Sequence, residues 1–147
     1  MRAPTSPIAD AVPERIRAAG ARATPARIRV LRLLSEAQRA LSHQEIETRL
    51  GKLAGDRVTL YRVLDWLVQS GLAHKVTDDA RVFRYSIAGE AVLRHTEHGH
   101  FRCDGCGRVF CLEALRSSKP RVPRGFRVAR VDVSVRGQCA NCVRTHP

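Results

Sequence analysis

The chain has 147 residues, of which 44% are hydrophobic and 5% aromatic, enough for one ordinary domain or two small ones. No apolar run approaches the roughly 20 residues that cross a bilayer, and the N-terminus lacks the apolar core of a secretion signal, so we expect a cytoplasmic protein without a membrane partner. The net charge of +12 favours a polyanion such as DNA as partner, although solubility or an arginine-rich proteome would also account for it.

Two helices are predicted after a loose N-terminal tail. The first runs from about Asp10 to Ala19, because Pro13 is tolerated in a first turn and Gly20 favours a helix end. The second begins at Thr24-Pro25, which have the residue types of an N-cap and a first helical position. Its apolar face consists of Ile28, Leu31 and Leu34.

Two further helices carry strong local signals. Ser42-His43-Gln44-Glu45 has the capping-box pattern, and Gly51 is a stop signal after it. After a loop over Lys52–Gly55, Asp56 caps a longer helix that extends through Ser70. Its core-facing residues have the i, i+3, i+4, i+7 spacing: Leu60, Val63, Leu64 and Leu67. The opposite face carries Val58, Arg62, Asp65 and Gln69, with Thr59 and Tyr61 on the flanks.

A two-stranded hairpin follows these helices. Its strands are predicted over Leu72–Thr77 and Arg81–Ile87, with Asp78-Asp79 as the turn, because Phe83, Tyr85 and Ile87 alternate with polar residues. Helices followed by a hairpin are typical of a winged helix-turn-helix, in which the helix after the turn lies in the major groove of DNA. We therefore predict a winged-helix DNA-binding domain over residues 1–87 and a hinge over 88–94.

Two Cys-x-x-Cys pairs dominate residues 95–147. Cys103 and Cys106 form one pair and Cys139 and Cys142 the other, so two short turns can offer four thiolates to one tetrahedral zinc ion. Four buried or free thiols are the alternative, but cytoplasmic cysteines in paired spacing favour metal binding. The long segment between the pairs must hold its own secondary structure. Strands are predicted over Phe101–Cys103, over Val109–Leu112 and through Val131, Val133 and Val135, with a short helix over Glu113–Lys119.

The ordered combination of these motifs resembles the ferric uptake regulator family. The resemblance covers about residues 10–142, and it rests on GARATPAR from Gly20, TLYR from Thr59, GLAHK from Gly71, HGHFRCDGCG from His98 and the terminal Cys-x-x-Cys. TLYRVLDWL followed by GLAHKV is similar to the zinc uptake regulator branch. The resemblance implies an α+β fold with an N-terminal winged helix and a C-terminal α/β dimerisation domain. It further implies a homodimeric, metal-activated DNA-binding repressor rather than an enzyme, without a small organic substrate.

The resemblance also implies which residues contact DNA. Tyr61 and Arg62 match recognition-helix positions that contact base and backbone, with Thr59 beside them, and Arg22 matches a basic residue that reaches the minor groove. Arg57, at the start of the same helix, is a further candidate. Arginine can bind guanine or phosphate, and a tyrosine ring can contact a thymine methyl. The alternatives are a half-buried packing role for Tyr61 and a merely solvated one for Arg62.

Two zinc ions per chain are implied, one structural and one regulatory. The four cysteines match the family's structural ligands. For the regulatory site the family implies His98 and His100, which share a face if they lie in a strand, together with His74. The family's carboxylate position is Cys111 here, and His3Cys suits zinc. His95 and Glu113 are possible extra ligands, whereas a polar wing residue at His74 and a small buried hydrophobe at Cys111 are the alternatives.

Other functions are weighed on the same residues. An iron- or peroxide-responsive member of the family would share the fold, but the iron branch often has a histidine where this chain has Ala40. A further family metal site needs an acid where this chain has Gly99, so we predict that this site is absent. A zinc hydrolase could use His95, His98 and His100, but it needs a general base and a substrate pocket. Glu97 is the only obvious base, and the basic half would have no role.

Overall fold

The computed structural model describes residues 11–37, 39–78, 80–88, 97–112, 120–129 and 131–145, and only the backbone at 97, 98 and 132. Its contacts divide the chain into two compact units, Met1–Ala88 and Gly89–Pro147. Most of the predicted hinge, 88–94, lies outside the described residues. No helix in the described part is long and apolar enough to cross a membrane.

The first unit has the helices and hairpin of a winged helix-turn-helix. Its three strands form one sheet in the order β1-β3-β2, with both pairings antiparallel. In chain order the elements are α1 (Val12–Ala18), α2 (Pro25–Ala37), β1 (Leu41–Ser42), α3 (His43–Leu50), a 3₁₀ turn (Gly51–Ala54), α4 (Arg57–Gln69), β2 (Ala73–Thr77) and β3 (Phe83–Ile87).

The helix starts follow from local side-chain chemistry, as predicted. Ser42 Oγ accepts a hydrogen bond from the backbone N–H of Glu45 at 3.1 Å, and the Glu45 carboxylate accepts one from the Ser42 N–H at 2.8 Å, which completes the capping box. Asp56 accepts the Thr59 N–H at 2.7 Å. Thr24 Oγ1 accepts the Arg27 N–H at 3.4 Å. These bonds satisfy N–H groups that have no partner inside the helix.

The core of the first unit confirms the predicted apolar faces. All four core-facing residues of α4 are buried, as are Leu31 and Leu34 of α2. The central strand contributes Tyr85, which is 2% exposed. Both α1 and α3 add residues that are fully buried: Val12, Ile16 and Ile46. One continuous core therefore fixes α4 against the sheet.

Three details of the first unit differ from the prediction. The strand β1 was not predicted, because two residues are too short for a periodic signal; Leu41 pairs with Tyr85. The alternation in β3 is partly wrong, since Phe83 is 50% exposed while Ser86 is buried. Phe83 lies near the tip of the hairpin, where it packs against Lys75 instead of the core. The predicted loop after α3 contains the 3₁₀ turn, in which Ala54 is buried.

The second unit is a three-stranded sheet with a short terminal helix. The elements are β4 (Glu97–Cys103), β5 (Val109–Leu112), β6 (Val131–Gly137) and α5 (Ala140–Thr145). The order is β5-β4-β6; β5 runs antiparallel to β4, and β6 runs parallel to it. The three predicted strands are confirmed, and β4 begins earlier than predicted. The helix α5 was missed, and the predicted helix Glu113–Lys119 lies outside the described residues.

Candidate metal centre and nucleic-acid interface

The two cysteine pairs meet at one end of the second sheet. Cys103 ends β4 and is the register partner of Gly137, the last residue of the parallel strand β6, so both Cys-x-x-Cys turns leave the sheet at the same end. The four Sγ atoms lie within 4.8 Å of one another. The Sγ atoms of Cys106 and Cys139 are 3.8 Å apart. A tetrahedron with Zn–S bonds of about 2.3 Å has S···S edges of about 3.8 Å, so this donor set fits zinc.

Backbone contacts hold the turns around the sulfurs. The Cys139 N–H donates to Cys103 Sγ at 3.2 Å, and the Asp104 N–H donates to the Gly137 carbonyl at 2.7 Å. Arg136 donates two hydrogen bonds to the Asp104 carboxylate. A Cβ at Gly105 would lie 3.0 Å from the Sγ of Cys142, so a side chain there would press on the cluster. Backbone hydrogen bonds, an ion pair and a close-packed glycine thus surround the four sulfur atoms.

The thiols of the cluster differ in pKa because of the hydrogen bonds that each one makes. The hydrogen bond from the Cys139 N–H lowers the pKa of Cys103 to about 6. The hydrogen bond between the side chains of Cys142 and Cys103 holds the proton on Cys142, whose pKa rises to about 12. The pKa values of these two thiols thus shift in opposite directions, so Cys142 keeps its proton where Cys103 loses one. A metal ion replaces the thiol protons, because its positive charge stabilises all four thiolates.

The structure brings together two of the proposed regulatory ligands. His100 of β4 and Cys111 of β5 are direct register partners, and both side chains are half-buried. Neighbours across an antiparallel pair lie on one face of the sheet, about 5 Å apart. His98 also lies in β4, but its side chain is not described. His74 lies in β2 of the first unit, opposite Ser86.

The remaining ligand candidates, His95 and Glu113, lie outside the described residues. Among the side chains that are described, the four cysteines form the one group with metal-ligating geometry. The ligand set of a regulatory site therefore stays a prediction.

The candidate DNA contacts lie on and near α4. Arg62 and Arg57 are exposed, and Tyr61 is 46% exposed. Thr59 is half-buried, and its hydroxyl donates to the Asp56 carboxylate at 2.9 Å, so it takes part in the helix cap. Arg22 is also exposed, just before α2. The face of α4 that carries Arg62 is available to a partner, as predicted from the apolar spacing.

Two structural features around this face were not predicted. The imidazole of His43 stacks on the Tyr61 ring, with ring centroids 3.8 Å apart and planes at 22°. The carboxylate of Glu45 joins the helix cap to the hairpin, since it accepts a hydrogen bond from Arg84 and pairs with Arg39, each at 2.9 Å. The capping-box pattern identified Glu45, but neither the stack nor the contact of Glu45 with Arg84 leaves a periodic signal in the sequence.

Carboxylates in this network are held in the charged form. Burial alone would raise the pKa of Glu45, but hydrogen bonds from Arg39 and the Ser42 N–H, with the charges of Arg39 and Arg84, lower it below its usual range. Burial likewise opposes ionisation of Asp78, but the Val82 N–H and Arg84 lower its pKa. Arg84 therefore links α3 to the hairpin turn through two carboxylates.

Comparison with known proteins identifies the family. The profile of the ferric uptake regulator family matches residues 18–136. The chain belongs to this family. It is thus a member of a family of metal-responsive, DNA-binding transcription regulators. The match includes the first cysteine pair and ends just before the second.

Relatives within the family include zinc uptake regulators. The zinc uptake regulation protein of Escherichia coli strain K12 is 30% identical to the chain over 128 residues, which make up 83% of this chain and 73% of the relative. The crystal structure of holo XcZur is 25% identical, with a TM-score of 0.64 and coverage of 92% of this chain and 96% of the other.

A zinc uptake regulator complexed with zinc and DNA has the same fold. It is 22% identical, with a TM-score of 0.67 and 98% coverage of both chains. This solved structure therefore contains counterparts of both units of the chain, the winged helix and the second unit.

Proposed function

We propose that this family member is a zinc-responsive repressor that binds operator DNA as a homodimer and controls metal-uptake genes. The observation that carries the zinc assignment is the placement of Cys111 directly opposite His100. Thiolate and imidazole ligands together favour zinc over the harder ions iron(II) and manganese. The similarity to the zinc uptake regulation protein of Escherichia coli supports the same assignment.

For DNA binding, we assign α4 to the major groove. Arg62 would bind guanine or phosphate, and Tyr61 would contact a base edge such as a thymine methyl. Arg57 and Arg22 would bind the backbone and the minor groove. The net charge of +12 adds sequence-independent attraction to phosphate, which should weaken as salt rises. In a homodimer two copies of α4 would reach half-sites about one helical turn apart.

For metal binding, we assign two roles to two groups of residues. Cys103, Cys106, Cys139 and Cys142 would hold a structural zinc ion, whose bonds join the ends of β4 and α5. His98, His100 and Cys111, with His74 as fourth ligand, would hold the regulatory ion. The form of the protein in which these four side chains converge binds zinc better, so zinc favours that form. If that form is the one that matches the operator, zinc depletion releases the DNA.

The test is DNA binding during titration with zinc, iron(II) and manganese at buffered free-metal levels. It uses the full chain with its structural zinc in place, and a duplex selected from a random pool by the zinc-loaded protein. Zinc should switch binding on at much lower free concentration than the other ions. The His98→Ala/Cys111→Ala variant should lose this response while keeping one zinc per chain. His146→Ala, outside every proposed ligand set, is the matched control.

Three results would change the assignment. Equal activation by iron(II) or manganese would point to an iron-responsive regulator of the same family, and activation or release by peroxide would point to a peroxide sensor. An intact zinc response in the double variant would contradict the proposed ligands while leaving DNA binding in place.

A further inference from the structure

A stacked pair of rings joins α3 to the proposed DNA-reading helix. His43 is the first residue of α3, and Tyr61 lies in the second turn of α4. Their centroid distance of 3.8 Å and interplanar angle of 22° describe close, nearly parallel packing. Such packing covers one face of the Tyr61 ring, yet 46% of the residue remains exposed. One face of the Tyr61 ring is therefore packed against His43, while the rest of the side chain remains accessible to a partner.

The closest ring contact of the His43 side chain is with Tyr61. The His43 side chain is 11% exposed, and its Nδ1 lies 3.9 Å from the Glu47 carboxylate, beyond hydrogen-bond distance. Burial and the charge of Arg57 lower the pKa of His43, although Glu47 and a hydrogen bond with the Arg57 backbone oppose this, so the environment favours the neutral ring. The stack is thus a directed contact of an imidazole that is largely buried.

The space beside the stack explains why Tyr61 needs a support. A cavity of about 360 Å³ opens there, between the start of α3, α4 and β3. Its lining combines both stacked rings with Ser42 at the helix cap and with Val82 and Phe83 of the hairpin. Without the imidazole, the Tyr61 ring could turn into this cavity and away from the exposed face. An exposed ring with several orientations also loses more freedom when it binds, which weakens affinity.

We propose that His43 is a specificity-determining positioning residue, which holds the Tyr61 ring in the orientation that contacts a base in the major groove. This inference rests on the proposed function, because it requires that α4 reads DNA. His43 itself need not touch the operator. Its effect should therefore depend on Tyr61 and should be confined to the specific sequence.

A double-substitution cycle tests the dependence. The variants are His43→Leu, which removes the planar ring, His43→Phe, which keeps one, Tyr61→Ala, and the combination of His43→Leu with Tyr61→Ala. Thr48→Ala, exposed on the same helix, is the matched control. Affinity is measured with zinc-loaded full-length protein for the selected duplex and for a scrambled duplex of equal composition. Residues in contact are expected to show coupled effects in such a cycle.

The expected result has three parts. His43→Leu weakens binding to the selected duplex by about 3- to 10-fold, the range of an aromatic pair, and changes binding to the scrambled duplex less than about twofold. His43→Phe restores the affinity. In the Tyr61→Ala background, His43→Leu has no further effect. In NMR spectra, the ring-current shift of the Tyr61 ring protons persists in His43→Phe and disappears in His43→Leu.

The opposite results are equally clear. Independent, multiplying losses from the two single substitutions would overturn the inference, as would equal weakening on both duplexes or failure of His43→Phe to rescue. If Tyr61→Ala binds the selected duplex like the wild type, the placement of Tyr61 in the DNA interface fails as well. Thermal unfolding is recorded for every variant. If His43→Leu aggregates, His43→Asn replaces it, and the same loss is expected because that side chain also lacks an aromatic ring.

Discussion

The two units of this protein differ in the interactions that stabilise each of them internally. In the first unit, one cluster of buried apolar side chains extends from Val12 to Tyr85 and joins its helices to the sheet. In the described part of the second unit, the buried hydrophobic residues are Cys103, Val109 and Cys139. Large apolar side chains there are exposed instead, including Phe126 at 69%. Burial therefore stabilises the first unit, whereas in the described part of the second unit the proposed structural zinc would supply stability that burial does not.

The magnitudes support this contrast. Burying one leucine side chain contributes about 1.5–3 kcal/mol, so the core of the first unit gains from many small, non-directional terms. A structural zinc ion contributes about 10–16 kcal/mol of apparent binding free energy at pH 7 through four bonds. Loss of one buried leucine should lower the free energy of unfolding of the first unit by a small part, whereas loss of one cysteine ligand should remove most of the stability of the second unit.

The largest expected effect is from Cys103→Ser or from zinc chelation. Either change should destabilise the second unit strongly, because few apolar residues are buried in its described part and a structural zinc ion contributes much of the folding free energy of such a unit. The first unit should remain folded. Trp66, the single tryptophan, lies in α4 and reports the first unit alone. We expect an unchanged Trp66 fluorescence transition in urea and loss of amide-exchange protection in β4 and β6.

The control for this experiment is Cys111→Ser, which changes a thiol outside the cluster. It should leave the structural zinc bound and the protection intact. A Cys103→Ser variant that keeps protected β4 and β6 amides would show that burial suffices for the second unit, and the contrast would be wrong.

A smaller effect is expected from Leu64→Ala. Leu64 is fully buried in α4, and such substitutions cost about 2–5 kcal/mol because they leave a cavity. The urea midpoint followed by Trp66 fluorescence should fall, while the zinc content of the second unit should not change. Val58→Ala on the same helix is the control, since Val58 is 58% exposed and should shift the midpoint little. Zinc loss in Leu64→Ala would indicate that the units do not fold independently.

The smallest effect concerns the ion pairs of Arg84, and it depends on pH. Glu45 and Asp78 have lowered pKa values in the folded protein. Their contribution to the free energy of unfolding is complete above their ordinary pKa values of 4.5 and 3.8 and is lost as pH falls through the lowered ones. Arg84→Met should therefore cost about 1 kcal/mol at pH 7, after allowance for partial exposure.

This difference between Arg84→Met and the wild type should shrink below about pH 4, where the wild type also loses the charged carboxylates. Urea unfolding of the first unit at a series of pH values measures it. Arg32→Met, at an exposed position of α2, is the control. A difference that stays constant down to pH 3 would assign the cost to lost packing of the arginine side chain.

The sequence predicted those parts of the fold that have local causes. The capping box at Ser42, the cap at Asp56 and the apolar spacing of α4 are each contained within a few residues, and the structure has all three. The metal cluster was predictable for a similar reason, because Cys-x-x-Cys places two sulfurs on one short turn. The two cysteine pairs meet because the strands that precede them, β4 and β6, end at the same edge of the sheet.

Features that depend on tertiary contact were not predictable in this way. The strand β1 exists only because Leu41 and Ser42 pair with β3. The stack of His43 on Tyr61 joins residues on two helices, and nothing in either helix alone indicates it. For the proposed regulatory site, the register of β4 with β5 brings His100 opposite Cys111, whereas spacing alone could not choose that register.

Parallel pairing of β4 with β6 limits how this chain can change in length. Because Cys103 is aligned with Gly137, each residue inserted into or deleted from β6 would move Cys139 along the sheet and reverse the faces of the strand. The register does not fix the number of residues in 113–130. Insertions and deletions among homologous chains should therefore accumulate between Leu112 and Val131, while the distance from Val131 to Cys139 stays constant. An alignment built on that rule would place the second cysteine pair correctly even where the intervening sequence has no detectable similarity.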